Sequence, residues 1–446
     1  MRVITYGTFD LFHQGHRRLL ERARGLGDHL IVGVTSESYD DSRGKLNVSQ
    51  SLLERIRNVE QSGLADEIIV EEYEGQKITD IQRYDVDIFA IGSDWLGAFD
   101  YLRDYCEVVY LDRTKGVSST QLRNESAGGV VKLGIVGSGR IAARFVGEAR
   151  YVSGIAVEGV YSRRFDNARR FAEAHELAAS YATYEELLSE MDAVYLASPH
   201  GSHYPQARQA IEAGVHVLCE KPMTLVAEQA AELFELAAAH RVVLLEAIKT
   251  AFAPGFQRMI AIARMGEIGA VRSVDATFTK LVDSGREYDP EQGGSISELA
   301  SYPLLAIVKL LGTEFTELRT VSLKPKDAEV ETFSRIDLQY PQAVASARTG
   351  IGVKAEGELI VAGTKGYLYV PAPWWKTEYF ELRYENPGST RKYYFRFEGD
   401  GLRYELSEFA SLIREGELES FKLRPAESIA LAGIIERGRT AAVTFG

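Results

Sequence analysis

Short apolar runs alternate with amphipathic stretches along the opening part of the chain. Val3–Tyr6, Leu30–Val34, Glu67–Val70, Ile88–Ile91 and Val108–Leu111 read as strands, and helices are expected near 16–26, 50–62 and 77–84. This alternation predicts a parallel α/β sheet, whose ligands gather at the carboxyl ends of its strands. The pattern stops and restarts between Arg113 and Ala142. A Gly- and hydroxyl-rich turn, Arg113-Thr114-Lys115-Gly116-Val117-Ser118-Ser119-Thr120, can open a helix there, and a small-residue joint follows over 124–129. A new strand then runs into Gly137-x-Gly139-x-x-Ala142 and the helical run Ala142–Ala149, with further strands at Ala156–Tyr161, Ala193–Ala197 and Val215–Cys219. Past residue 250 the period changes. Alternating runs at Thr332–Tyr340 and Gly357–Val370, the second broken by the turn Gly363-Thr364-Lys365-Gly366, predict an open sheet, and Gly399-Asp400-Gly401-Leu402-Arg403-Tyr404-Glu405 leads a helix. The expected fold class is α/β: a Rossmann-like domain over 1–124, a linker over 125–130, a dinucleotide-binding Rossmann domain over 131–250 and an α+β open-sheet domain over 251–446.

At 446 residues the chain is too long for one ordinary core, which agrees with several domains. A net charge of −13 argues against nucleic acid or an anionic membrane as a partner, because either needs a basic footprint. Anionic small molecules remain compatible through local Arg, Lys and helix N-termini. The two cysteines, Cys106 and Cys219, form neither a CxxC pair nor a disulfide framework, and no apolar run approaches membrane-spanning length. A cytoplasmic protein is expected.

The first strand ends in Gly7-Thr8-Phe9-Asp10-Leu11-Phe12-His13-Gln14-Gly15-His16. His13 and His16 flank a glycine at a predicted helix start, so two imidazoles and free backbone N–H groups can converge on one anion. A metal-binding pair and a structural turn are the rival readings. No third ligand cluster accompanies the histidines, so no protein-held metal is expected.

Gly-Thr-Phe-Asp followed by His-x-Gly-His, with Arg-Thr-x-Gly-Val-Ser-Ser-Thr about a hundred residues later, resembles the glycerol-3-phosphate cytidylyltransferase family of nucleotidyltransferases. The resemblance covers the whole first unit. It implies that His13 and His16 bind the CTP phosphates and stabilise charge at the α-phosphorus, with Thr8 and Phe9 beside them. It further implies that Arg113, Ser118, Ser119 and Thr120 hold the β- and γ-phosphates. Lys45 and Arg55 match basic positions that meet phosphates, and Asp94 and Trp95 match a strand-end motif lining the nucleotide site; Mg²⁺ would travel with CTP.

In the second unit, Gly137 makes the turn and Gly139 lets a pyrophosphate approach the backbone, with Arg140 and Ile141 inside the same fingerprint. The next strand ends in Ser162-Arg163-Arg164 in place of an acidic residue. That favours a ribose 2′-phosphate, and NADP(H) over NAD(H). Two later strands end in Ser198-Pro199-His200-Gly201-Ser202-His203 and in Glu220-Lys221-Pro222-Met223.

The Glu-Lys-Pro turn, with Glu246-Ala247, Pro290-Glu291-Gln292-Gly293-Gly294-Ser295 and Ser297-Glu298-Leu299-Ala300-Ser301-Tyr302-Pro303, resembles the Gfo/Idh/MocA oxidoreductases from Val131 to the carboxyl end. The resemblance implies that Ser198, Pro199, His203 and Glu220 lie by the cofactor and that Lys221 sits at the nicotinamide. Tyr302 would donate a proton, its pKa lowered by the neighbouring ammonium. Glu298 stands where the family has Asp. Plain packing for Tyr302, a purely orienting Lys221 and a turn-capping His203 are the alternatives. Lys249 and Arg286 sit near predicted pocket segments and would suit a phosphorylated substrate, against solvated-surface roles.

A chain carrying both units is expected to be bifunctional. It would reduce a phosphorylated ketose or aldose with NADPH, then transfer cytidylyl from CTP to the polyol phosphate for surface-glycan synthesis. The small-molecule partners are thus CTP, a sugar phosphate and a polyol phosphate, and the Gfo/Idh/MocA resemblance implies a homo-oligomer through the open sheet face. The alternatives are an oxidoreductase acting on the CDP-product or on an unrelated sugar, and a non-catalytic cofactor-binding module.

Overall fold

The computed structural model describes residues 1–10, 12, 14–36, 50–73, 75–111, 130–440 and 442–445, with Asp94 described in its backbone alone. Two units result, Met1–Val130 and Val131–Gly446.

The first unit is a five-stranded parallel sheet of β1 (Arg2–Gly7), β2 (His29–Thr35), β3 (Glu67–Glu71), β4 (Ile88–Gly92) and β5 (Glu107–Leu111). The order across it is β3-β2-β1-β4-β5. Strands buried on both faces need continuous apolar runs, and Val3, Ile4, Leu30, Ile31 and Val32 have no exposed surface. Helix α1 (Gln14–Arg24) begins and ends two residues before its expected limits. Helix α2 (Leu52–Ser62) opens on a capping box in which the Ser51 side chain accepts from the Glu54 N–H and the Glu54 side chain accepts from the Ser51 N–H. Helix α3 spans Gln76–Arg83.

The second unit holds two sheets. The first is parallel, in the order β11-β10-β9-β6-β7-β8, from β6 (Val131–Val136), β7 (Ile155–Tyr161), β8 (Ala179–Tyr181), β9 (Ala193–Leu196), β10 (His216–Glu220) and β11 (Leu244–Ala247). Helix α4 (Arg140–Ala149) follows β6.

The second sheet has nine strands in the order β19-β18-β17-β16-β12-β15-β14-β13-β20. These are β12 (Val271–Thr279), β13 (Glu317–Leu323), β14 (Phe333–Tyr340), β15 (Ala343–Gly350), β16 (Leu359–Gly363), β17 (Gly366–Val370), β18 (Tyr379–Tyr384), β19 (Arg391–Tyr394) and β20 (Val443–Phe445). The sheet is mixed: β12 with β15 and β13 with β20 run parallel, the other pairs antiparallel. Thr364 and Lys365 turn between β16 and β17, while Gly357 and Glu358, expected in that run, lie outside it. The apolar Ser301–Leu311 helix covers one face, burying Leu304, Leu305, Ala306 and Ile307 completely. No helix among the described residues is long and apolar enough to cross a membrane.

Candidate functional site

In the first unit the strand order reverses between β1 and β4, so their carboxyl ends frame the crevice where a parallel sheet takes its ligand. Thr8 and Phe9 leave β1 on one side of it, and the short turn Ser93–Trp95 leaves β4 on the other. Phe9 is buried with φ at 52°, and its ring packs under Gly7, where a Cβ would stand 3.0 Å from ring carbons. His16, in the first turn of α1, meets the Phe9 ring edge-on at 5.3 Å and the Phe12 ring at 5.7 Å. Aromatic contacts thus fix the imidazole beside the crevice. Trp95 packs on Phe99 at 5.7 Å.

Arg55, which the resemblance matches to a basic position that meets phosphates, lies buried in the first unit. Its guanidinium has no exposed surface and donates to the backbone carbonyls of Thr8 (2.9 Å), Thr35 (2.8 Å) and Gln50 (3.1 Å). It gathers the ends of β1 and β2 from inside. Asp10 adds a second tie by accepting from the Gln50 N–H at 3.0 Å. His13, Lys45, Arg113, Ser118, Ser119, Thr120 and the Asp94 side chain lie outside the described residues.

In the second unit the order reverses between β6 and β9. Gly137 has φ at 109°, and a Cβ there would fall 2.7 Å from the Ala197 carbonyl oxygen, so only glycine lets the β6 turn pass the end of β9. Gly139 caps α4 without a side chain, and a Cβ on it would meet nothing within 4 Å. The space over the N-terminus of a ten-residue helix is therefore open to an anion, and the free N–H groups fit a pyrophosphate. Ser138 donates to Ser162 at 3.2 Å, tying the turn to the end of β7. Arg163 and Arg164 are exposed there and form no ion pair among the described residues.

Arg140, Ile141, Ser198, His203, Glu220, Lys221, Lys249, Arg286, Glu298 and Tyr302, ten of the positions singled out in sequence, line one cleft; Pro199 lies exposed next to Ser198. His203 serves as a turn pin: its ring nitrogens lie 2.9 Å from the Pro222 carbonyl and 2.9 Å from the Ser198 carbonyl, joining the turns after β9 and β10. Glu220 accepts from the Tyr195 hydroxyl at 2.6 Å and from the Lys221 N–H at 3.1 Å. The Lys221 ammonium donates to the Glu298 carbonyl at 3.0 Å and lies 5.7 Å from the centre of the Tyr302 ring. Burial lowers the Lys221 pKa, while Glu298 and Glu220 oppose the shift.

Tyr302 itself corrects the sequence expectation. Its pKa is raised well above the usual phenol range, first by burial and then by the carboxyl groups of Glu220, Glu405 and Asp400. The ammonium lies 5.7 Å from the ring centre. Tyr302 is held as a neutral phenol, the form that has a proton to give.

The Glu298 carboxylate lies between two cations or would-be cations, 3.3 Å from the Arg286 guanidinium and 3.7 Å from the His200 ring. Burial, followed by Lys221, His203 and Arg286, lowers the His200 pKa to about 2, so that ring is neutral. Sequence reasoning passed over Lys280, which pairs with Glu287 at 2.8 Å and adds a cation to the cleft wall. It also passed over the aromatic wall, in which Phe278 stacks on Trp375 at 3.8 Å and meets Tyr302 at 5.0 Å. A lysine or phenylalanine in or just after a strand carries no mark that says which wall it joins.

Three family models match in tandem: Cytidylyltransferase-like over residues 4–125, Oxidoreductase family with NAD-binding Rossmann fold over 131–247, and the GFO/IDH/MocA C-terminal domain over 256–369. A glycerol-3-phosphate cytidylyltransferase of Bacillus spizizenii is 50% identical over 126 residues, which cover 28% of this chain and 97% of that protein. A trans-1,2-dihydrobenzene-1,2-diol dehydrogenase of Mus musculus is 30% identical over 326 residues, covering 71% of this chain and 98% of that protein. Among solved structures, a 3-ketoreductase from Actinomadura kijaniata, in complex with NADP and TDP-benzene, superposes with a TM-score of 0.64 at 24% identity. That match covers 71% of this chain and 100% of the ketoreductase, and it speaks for the fold.

Proposed function

Because the chain belongs to the cytidylyltransferase-like family over its first unit and to the Gfo/Idh/MocA oxidoreductase family over its second, we propose that it makes a CDP-alditol in two steps. The second unit reduces a phosphorylated ketose or aldose to an alditol phosphate, and the first joins that phosphate to the cytidylyl group of CTP, releasing pyrophosphate. The product would serve surface-glycan synthesis in the cytoplasm.

The observation that carries the reading is the meeting of Lys221 and Tyr302 in one cleft with Lys249, Lys280 and Arg286. A neutral phenol beside an ammonium suits carbonyl reduction, and the cations suit a phosphate on the same small molecule. The dinucleotide, when bound over Gly139, supplies the hydride that forms the new C–H bond. Lys221 orients the carbonyl oxygen and steadies its growing negative charge; Tyr302 gives that oxygen its proton. Arg163 and Arg164 favour NADP(H) by meeting a 2′-phosphate. In the first unit, an oxygen of the alditol phosphate attacks the α-phosphorus of CTP and the bond to the β-phosphate breaks. His13 and His16 stabilise the charge in transit, with Mg²⁺ carried on the triphosphate.

The order of steps can be tested by omitting CTP. This reading expects NADPH to be consumed by the free sugar phosphate alone. Reduction that begins only once a CDP-linked substrate is supplied would contradict it.

A further inference from the structure

The Gly399-Asp400-Gly401 turn stands apart from the reacting groups, yet two walls of the cleft meet on it. Gly399 and Gly401 have φ at 58° and 81°, and Gly401 caps the helix Leu402–Glu415, whose first residue lines the cleft. Asp400, between them, uses all of its polar groups. Its N–H donates to Glu148 at 2.7 Å, its carbonyl accepts from the Lys249 ammonium at 2.6 Å, and its carboxylate lies 3.6 Å from the Arg144 guanidinium. Arg144 and Glu148 belong to α4, the helix that starts at the dinucleotide turn, while Lys249 follows β11.

Glu148 holds this turn. Its buried carboxylate also accepts from the Arg403 N–H at 3.2 Å and from the Arg403 guanidinium at 3.1 Å. Negative charge thus stands at the start of the Leu402–Glu415 helix, where unpaired N–H groups favour it. The fit is close, because a Cβ on Gly399 would overlap the Glu148 carboxylate.

Lys249 differs from the other cations on the substrate side. Arg286 lies 3.3 Å from Glu298 and Lys280 lies 2.8 Å from Glu287, so a phosphate arriving there competes with a carboxylate. Among the described residues Lys249 forms no ion pair, and its hydrogen bond goes to the neutral Asp400 carbonyl. An ammonium has three donors, so two remain for a ligand on a side chain that lines the cleft.

We propose that Glu148 is a positioning residue for the substrate: through the Asp400 turn it holds the Lys249 ammonium as the seat of the substrate's phosphate. The inference rests on the reductase reading above and selects one cation among those of the cleft. Glu148 is not a cleft-lining residue and acts through Asp400. One hydrogen bond fixes the turn to α4, and the next fixes the ammonium to the turn. The phosphate is thereby placed relative to the helix whose other end faces the dinucleotide.

Two measurements on the full chain decide it. In the first, lysines are acetylated with acetic anhydride in the presence of NADP⁺ and rising inorganic phosphate, and the label on Lys249 is read by peptide mass spectrometry. Phosphate should slow the labelling of Lys249 in the wild type. The concentration that halves it should rise by about 10- to 100-fold in Glu148→Gln, which gives up the charge, and in Glu148→Asp, which gives up the reach. The aspartate variant keeps a charge opposite Arg403 and guards against loss of fold in the other. This readout needs no turnover, so it stands even if the reductase substrate has been misread. In the second, with a sugar phosphate that the wild type reduces, both variants should raise KM by about 10- to 100-fold with little change in kcat. NADPH affinity and kcat/KM for the unphosphorylated sugar should stay at wild-type values. Labelling of wild-type Lys249 that ignores phosphate overturns the proposal, as do variants with wild-type protection or wild-type KM. Equal losses with the phosphorylated and unphosphorylated sugars would reduce Glu148 to a structural clasp and overturn it too.

Discussion

The Lys221 ammonium lies over the ring of Tyr302, 5.7 Å from its centre, while its hydrogen bond goes to the Glu298 carbonyl at 3.0 Å. The lysine is therefore held by backbone and aimed across the cleft, and the tyrosine keeps its proton. Lys221→Met or Tyr302→Phe should each reduce the rate of carbonyl reduction by roughly 10²–10⁴-fold. Cytidylyl transfer to a supplied alditol phosphate should stay at the wild-type rate. Parallel assays of both activities on each variant check this, and equal loss of both would refute separate sites.

Gly137→Ala places a Cβ 2.7 Å from the Ala197 carbonyl at a φ of 109°. The strain should lower the stability of the second unit by about 1–3 kcal/mol and weaken dinucleotide binding. Thermal unfolding and fluorescence titration with NADPH read the two effects. Unchanged binding would mean that the turn is not the pyrophosphate seat.

Arg163 and Arg164 stand exposed after β7 and form no ion pair among the described residues. Removing a charge-assisted contact to a 2′-phosphate costs about 1.5–3 kcal/mol, or roughly 10- to 100-fold in affinity. Arg163→Ala and Arg164→Ala should weaken NADPH by that order and leave NADH unchanged, as dissociation constants for both dinucleotides would show. Equal weakening of both would remove the basis for an NADP preference.

Arg55 holds three backbone carbonyls from a fully buried position. Arg55→Met should therefore lower the unfolding temperature of the first unit as well as cytidylyl transfer, with a loss on the order of 3 kcal/mol. A residue that only met phosphate would raise the KM for CTP and leave unfolding unchanged.

His200 is kept neutral by burial and by Lys221, His203 and Arg286, with its pKa at about 2 against an ordinary 6.5. The unfolded chain gains a proton there below about pH 6.5 that the folded chain refuses, so stability falls as pH drops from 6.5 towards 2. Denaturant titrations of the full chain from pH 7 to pH 4 should show this fall in the second-unit transition. His200→Gln should make it shallower. An unchanged slope would mean that other groups carry the acid sensitivity.

The parts legible in the sequence are those where the backbone itself carries the message. Gly137, the Glu220-Lys221-Pro222 turn and the strand runs each declare a local geometry that few residue types permit. The backbone ties of Arg55 were not legible, because a guanidinium in Leu-Glu-Arg-Ile looks the same whether it faces water or a cluster of carbonyls from Thr8, Thr35 and Gln50. The direction of the Tyr302 shift was misread for a related reason. Lys221 is one motif away and visible, whereas Glu220, Glu405 and Asp400 act together only after distant segments fold onto one another. Glu405 stood inside a quoted helix start with nothing to mark it as buried and, among the described residues, without a hydrogen-bond partner.

The most direct test of the two-step account follows one atom through both units. The full chain would be incubated with CTP, Mg²⁺, a panel of ketose and aldose phosphates and NADPH carrying deuterium at the transferable position, and the products weighed by mass spectrometry. The account predicts a CDP-alditol one mass unit heavier than its unlabelled form, with pyrophosphate and NADP⁺ formed alongside. An unlabelled CDP-alditol made only from ready-made alditol phosphate, with the NADPH intact across the panel, would contradict it.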